Sequence, residues 1–238
     1  MQNINAIFKK EIRSYFNSPI AYIFITFFLA ISSWLFFGTF FIYNQAEMRS
    51  FFGLMPWMFL FFIPAVTMKL WAEEKQLGTA EILMTLPIRD HEVVIGKFLA
   101  SLGLLAITAL FSLCLPISVI YLGNADVGIL ICGYLGLLLM GGAYLAIGLF
   151  TSTLTKNQII AFILGISVCF VIWIIGEGFV LSRTPGWLFP IFSYLGLGTH
   201  YSSILRGVID TRDIIYYLSI IGFFLYLSTL SVESRKWR

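Results

Sequence analysis

Long apolar runs separated by short polar links fill this chain, and their lengths predict helices that cross a membrane. Residues 19–43 run for 25 residues without a charge. About 20 residues in a helix cross the roughly 30 Å hydrocarbon core, so this segment spans with some tilt. Further runs over 54–71, 98–122, 127–150, 159–181 and 214–232 predict six spans in all. Pro56 and Pro64 interrupt the second run and Pro116 the third. A proline inside a span frees a backbone carbonyl and bends the helix, so bends are expected at Pro64 and Pro116. Before the first span, Ile4, Ile7, Phe8, Ile12 and Tyr15 share one helical face, with Lys9, Lys10 and Arg13 on the other. That pattern reads as an amphipathic helix lying in the membrane interface, the alternative being a polar flank that only sets orientation.

Three links carry more detail. Residues 123–126 form a tight turn that makes spans three and four an antiparallel hairpin, and residues 151–158 are a short polar link containing Lys156. Residues 182–213 mix proline, glycine and aromatics, which predicts short helices at the interface or dipping partway back. The largest polar island, residues 69–97, holds nine of the 27 charges. Within it Thr79 is read as a helix N-cap, followed by Ile82, Leu83 and Leu86 on one side of a short helix that Pro87 ends. Such a helix rests on headgroups or neighbouring helices, or it docks into another protein.

Composition agrees. Hydrophobic residues make up 59% of the chain and charged ones 11%, against roughly 25% in a soluble domain. The fold class is therefore an all-α polytopic membrane protein of one transmembrane domain. A net charge of +3 is too small to indicate nucleic acid. Cys114, Cys132 and Cys169 fall inside apolar runs without a CxxC spacing, as apolar fillers rather than disulfides or metal ligands. The first run is expected to remain as a span, having no small-residue cleavage site. Six spans put both ends of the chain on one side. Eleven of the 15 lysines and arginines collect there, including Lys69, Lys75, Arg89, Lys97, Lys156, Arg235, Lys236 and Arg238. The positive-inside rule assigns that side to the cytosol.

Enzymatic signatures are incomplete. There is no G-x-x-x-x-G-K-[ST] to cradle ATP phosphates. His91-Glu92 lacks the second histidine of a zinc protease helix, and Gly165-Ile-Ser167 lacks the closing glycine of a nucleophile elbow. No cofactor is expected on this chain. His200 reads as a hydrogen-bonded loop residue. Glu177, between Gly176 and Gly178 near the outer end of the fifth span, either lines a path or dimer cleft or marks where the membrane ends. Gly142 with Ala146, and Ala161 with Gly165, stand four apart, a spacing that lets helices approach closely.

The pattern Glu73-x-x-x-x-Gly78-Thr79-x-Glu81-x-Leu83-x-x-x-Pro87, followed by Gly96-Lys97, resembles the signature of ABC-2-type transporter permeases. The resemblance implies that this helix is a cytosolic coupling helix seated in a cleft of an ATP-binding subunit, with Glu81 as polar anchor and the Lys156 link as a lesser contact. It implies two ATP-binding subunits holding ATP and its magnesium, a second permease copy or similar chain, and a bacterial inner-membrane setting. The Lys9-Lys10-Glu11 start, Asn17-Ser18-Pro19-Ile20-Ala21-Tyr22 and Trp71-Ala72-Glu73-Glu74-Lys75 resemble the gliding-motility-associated permease group. The function so implied is export by a non-catalytic permease subunit. The alternative is an ATP-driven mechanical transmitter, or a scaffold, acting on periplasmic partners without substrate flux.

Overall fold

A computed structural model describes residues 2–43, 48–85, 87–122 and 126–234 of the chain. Glu47, Leu86, the turn residues 123–125 and the tail cations Arg235, Lys236 and Arg238 lie outside the described residues, as does the Ile82 side chain.

The described residues form helices throughout. They are α1 (Gln2–Asn17), α2 (Pro19–Tyr43), α3 (Arg49–Gln76), α4 (Thr79–Thr85), α5 (Asp90–Ser112), α6 (Cys114–Leu122) and α7 (Val127–Leu154). Then follow α8 (Gln158–Ile175), α9 (Gly178–Leu181), α10 (Phe189–Leu195), α11 (Leu197–Ile204) and α12 (Thr211–Glu233). Six segments are long and apolar enough to cross a membrane: most of α2, then α3, α5 with α6, α7, α8 and α12.

Short polar residues start the later spans. The Asp126 carboxylate accepts from the Gly128 amide at 2.8 Å, Asn157 Oδ1 from the Ile159 amide at 2.9 Å, and Asp210 from the Arg212 amide at 2.9 Å. Each satisfies an amide that the first helical turn leaves without an intrahelical acceptor.

Helices α3 and α7 form the centre, with α8, α12, α5 and α2 around them. Lipid is as apolar as leucine, so close packing rather than the hydrophobic effect holds the spans together. Glycines on α7 make that packing possible. A Cβ on Gly148 would stand 2.2 Å from Thr67 Oγ1, and one on Gly133 2.3 Å from the Phe52 ring. Gly142 faces Ile221 and Leu102, and Gly165 faces Pro64 and Thr151, so these small positions are spent within the chain. Outward, Tyr22, Phe27, Trp34, Ile131, Ile163 and Phe223 are exposed apolar residues on spanning helices, as a lipid-facing surface requires.

Several boundaries differ from the hydrophobicity pattern. Helix α3 runs unbroken through Pro56 and Pro64 to Gln76, past the apolar run that ended at Trp71. The third span begins at Asp90 rather than Phe98 because Lys97 is buried inside it. It breaks at Leu113, where the amide turns back to the Leu110 carbonyl at 3.2 Å, and Pro116 lies in the opening turn of α6. Helix α8 stops at Ile175, leaving Glu177 beyond its end.

The connection between α8 and α12 holds the three short helices α9, α10 and α11. Helix α11 is buried on one side through Leu197, Tyr201 and Ile204, and the Tyr201 hydroxyl donates to the Phe52 carbonyl of α3 at 2.9 Å. His200 is hydrogen-bonded at both ring nitrogens, to Asp213 Oδ1 at 2.7 Å and the Tyr194 carbonyl at 3.0 Å, and stacks on Tyr216.

Candidate functional site around the Gly78 turn

Helix α3 ends in a left-handed turn. The Leu77 amide donates to the Glu73 carbonyl at 2.9 Å, and Gly78 follows with φ of 75°. A residue with a Cβ pays a steric penalty in that conformation, which glycine avoids. The turn redirects the chain into α4, whose Glu81 amide donates to the Gly78 carbonyl at 3.3 Å. Thr79 is the first residue of α4 rather than the residue before it. Its hydroxyl donates at 3.3 Å to the Glu74 carbonyl, satisfying the end of α3 instead. A hydroxyl can donate as well as accept, and an unpaired carbonyl lay within reach.

Two faces of α4 result. Ala80 is buried, and Leu83 packs against the core. Gly78, Thr79, Glu81 and Pro87 are exposed, together with Leu77, 69% accessible despite being apolar. Glu73 is half-buried on the last turns of α3, where it lines a cleft of about 270 Å³ with Glu11, Lys69, Glu74 and Lys97.

The Lys156 link is brought to the same end of the bundle. The Lys75 ammonium donates to the Thr153 carbonyl. Ser152 Oγ accepts from the Trp71 and Ala72 amides, both at 3.1 Å, and donates to the Met68 carbonyl at 3.1 Å. The last turns of α3 and α7 are thereby tied together, and Lys156 stands exposed just beyond them. Glu177, Pro64 and Pro116 are not part of this site.

Beneath the turn lies a feature that pattern reading missed. Lys97 is 1% exposed, and its ammonium donates to Glu11 Oε1 at 3.0 Å, Glu74 Oε1 at 2.8 Å and the Leu70 carbonyl at 2.9 Å. All three ammonium protons are thus used. The Trp71 ring lies 5.3 Å from the same nitrogen, within cation–π range. Lys10 approaches Glu11 and Glu74 at 3.6 and 3.7 Å, so two cations balance two carboxylates. One buried group thereby joins α1, α3 and α5 next to the Gly78 turn. One signal was available in the sequence: Glu11 stands between Ile7 and Tyr15 on the apolar face of α1, and a carboxylate there requires a buried partner.

A model of the ABC-2 family transporter protein matches residues 43–230 of the chain. The chain belongs to the ABC-2 transporter family. No curated protein matches it significantly. ABC-2 membership makes this a multi-pass membrane protein and the permease subunit of an ABC transporter, whose family members are generally non-catalytic and associate with an ABC ATP-binding subunit. The matched stretch of this ABC-2 permease includes the Gly78 turn, the Lys156 link and Glu177, but not α1. The Lys97–Glu11 pair therefore joins the family core to a helix outside the matched residues.

Proposed function

We propose that α4 is the coupling helix of an ATP-driven exporter. Leu77, Gly78, Thr79 and Glu81 form the exposed face that enters a cleft of the ATP-binding subunit, Glu81 being its polar anchor. Leu83 seats the helix on the permease, Pro87 ends it, and Glu73 and Lys156 flank the contact. The observation that carries this reading is the two-faced α4 itself, held out by the Gly78 turn with an exposed carboxylate and an exposed leucine beside it.

In this reading both termini and α4 face the cytosol of a bacterial inner membrane, supported by the positive-charge count. Two permease copies, identical or similar, bind two ATP-binding subunits, which hold ATP and magnesium. Closure of those subunits draws the paired coupling helices together. The spans then shift between packed arrangements, Pro64 and Pro116 being the positions proposed to bend as they do so. Glu177 lines the outer part of the path or of the dimer cleft. The resemblance of the N-terminal and α3 motifs to the gliding-motility-associated group supports a position near that group.

The test is gentle solubilisation from the native membrane and identification of what copurifies. A stoichiometric P-loop subunit, lost on Glu81→Arg without loss of membrane insertion, is the expected result. Recovery of the permease alone in several detergents, or coupled ATPase activity unchanged by Glu81→Arg, overturns the docking role.

A further inference from the structure

The apolar side of α1 is only partly covered by the bundle. Ile7, Glu11 and Tyr15 are buried, Ile7 beside Gly96, Glu11 on Lys97 and the Tyr15 hydroxyl 3.0 Å from Ser101 Oγ. Ile4 and Phe8 are half-buried. With Asn5 they form one wall of an open groove of about 600 Å³, and α5 forms the other. Gly103 lies where the walls meet. A Cβ there would stand 3.2 Å from Ile12 and 3.5 Å from Phe8, so the glycine sets how closely the two helices approach. The volume is that of a ligand site, for which roughly 300–1,000 Å³ is usual.

On α5 the groove is lined by Ile95, Leu99, Leu102 and Ala106, whose spacing of four, three and four puts them on one stripe. From Ile95 to Ala106 the helix rises about 16 Å, at about 1.5 Å per residue. Half of a roughly 30 Å hydrocarbon core is about 15 Å, so the stripe is as long as one leaflet is deep. Its surface is almost wholly apolar. The shape and chemistry are those of a seat for one hydrocarbon chain.

Charge at the edge of the groove selects what carries that chain. Asn5, Lys9 and Arg13 stand four apart and are all exposed, so the stripe of α1 that begins at the groove continues as two cations. Lys10 is engaged by Glu11 and Glu74, whereas Lys9 and Arg13 form no ion pair among the described residues. Glu92, in the first turn of α5, already accepts from the Asn3 side-chain amide at 2.9 Å and the Arg89 backbone amide at 3.2 Å. A second copy docked here across a two-fold axis would set the cationic stripe against itself. We propose that the groove binds an anionic phospholipid, one acyl chain lying along Ile95 to Ala106 and the phosphate pairing with Lys9 and Arg13. Such a site lies outside the transport reading and involves no ATP-binding subunit.

The experiment uses the purified full chain, delipidated in a neutral detergent. It is titrated with phosphatidylglycerol and, with the same acyl chains, phosphatidylcholine, and bound lipid is counted by native mass spectrometry. One phosphatidylglycerol per chain, bound ahead of any further lipid, is expected. Each cation near an anionic lipid contributes about fivefold, so the preference over phosphatidylcholine should be on the order of 25-fold. The double variant Lys9→Gln with Arg13→Gln, at two exposed positions, should lose that preference. Ala106→Phe fills the groove and displaces methylenes worth about fourfold each, so it should weaken both lipids about tenfold. Melting without added lipid reports whether the variants remain folded. Equal affinity of the wild type for the two lipids, or an undiminished preference in the double variant, overturns the proposal. So does a dimer that Ala106→Phe converts to monomer, which would give the groove to a second copy. Copurification of an ATP-binding subunit is scored separately, so this site and the coupling-helix reading can each fail alone.

Discussion

Replacing Lys97 by methionine removes a buried ammonium but keeps most of the volume. Glu11, 8% exposed, and Glu74 then face each other without the cation that lay between them at 3.0 and 2.8 Å. Breaking a buried ion pair from one side costs about 3–5 kcal/mol, chiefly because uncompensated charge is left buried. Here Lys10, at 3.6 and 3.7 Å, remains as partial compensation, although its own side chain is 61% exposed. The lower end of the range, about 3 kcal/mol, is therefore expected. For a chain of this size about 1 kcal/mol moves the melting temperature by roughly 2–4 °C, so a loss of about 6–12 °C should appear in a thermal melt of the purified chain. Combining Lys97→Met with Glu11→Gln and Glu74→Gln removes the stranded charges too. That triple variant should return to within about 3 °C of wild type, because a buried ion cluster contributes little net stability over neutral packing. A shift below about 2 °C for Lys97→Met, or a triple variant no better than the single one, would refute the argument.

Two further outcomes follow from the same structure. Gly78→Ala places a Cβ where nothing lies within 4 Å, so its whole cost is the strain of φ at 75°. That is about 1–2 kcal/mol, a melting shift of roughly 2–8 °C, and an unchanged melt would show that the turn relaxes freely. Burial pushes the Glu177 carboxyl above the ordinary carboxylate range. The folded chain then favours the protonated form, so this group's stabilisation is complete below the unfolded value and fades as pH rises through the folded one. Melts taken from about pH 4 upward should show a decline in wild type that Glu177→Gln lacks, and parallel curves would remove Glu177 as its source.

Six spans were legible because unbroken apolar runs of sufficient length have few other uses. Their ends were less so. Lys97 looked like the polar edge of the third span, since its partners Glu11 and Glu74 stand 86 and 23 residues away and no local pattern reveals them. The end of α8 was hidden because Gly176, Glu177 and Gly178 sit in a stretch that remains apolar to Leu181, while the turn there depends on the crossing with Gly196. The Gly78 turn was readable in outline. Gly78 marked a helix end and Glu81 an exposed carboxylate, but the role of Thr79 depended on which unpaired group lay nearest. Nothing local marked Gly198 as a close neighbour of Trp173 and Glu177, since it reaches them only through the tertiary fold.

The attachment of α1 has a consequence for how the chain is made. Its apolar side rests on α5, where Gly96 leaves room for Ile7 and Gly103 for Ile12 and Phe8. Its buried carboxylate is matched by Lys97. None of these partners exists when the first helix leaves the ribosome. At about 5–20 residues per second, several seconds of synthesis separate Asn17 from Lys97. During that interval the first two spans are already available to the membrane while the N-terminal helix still lacks its seat. Although translated before α5, α1 thus settles after it, and its docking reports that the third span has arrived.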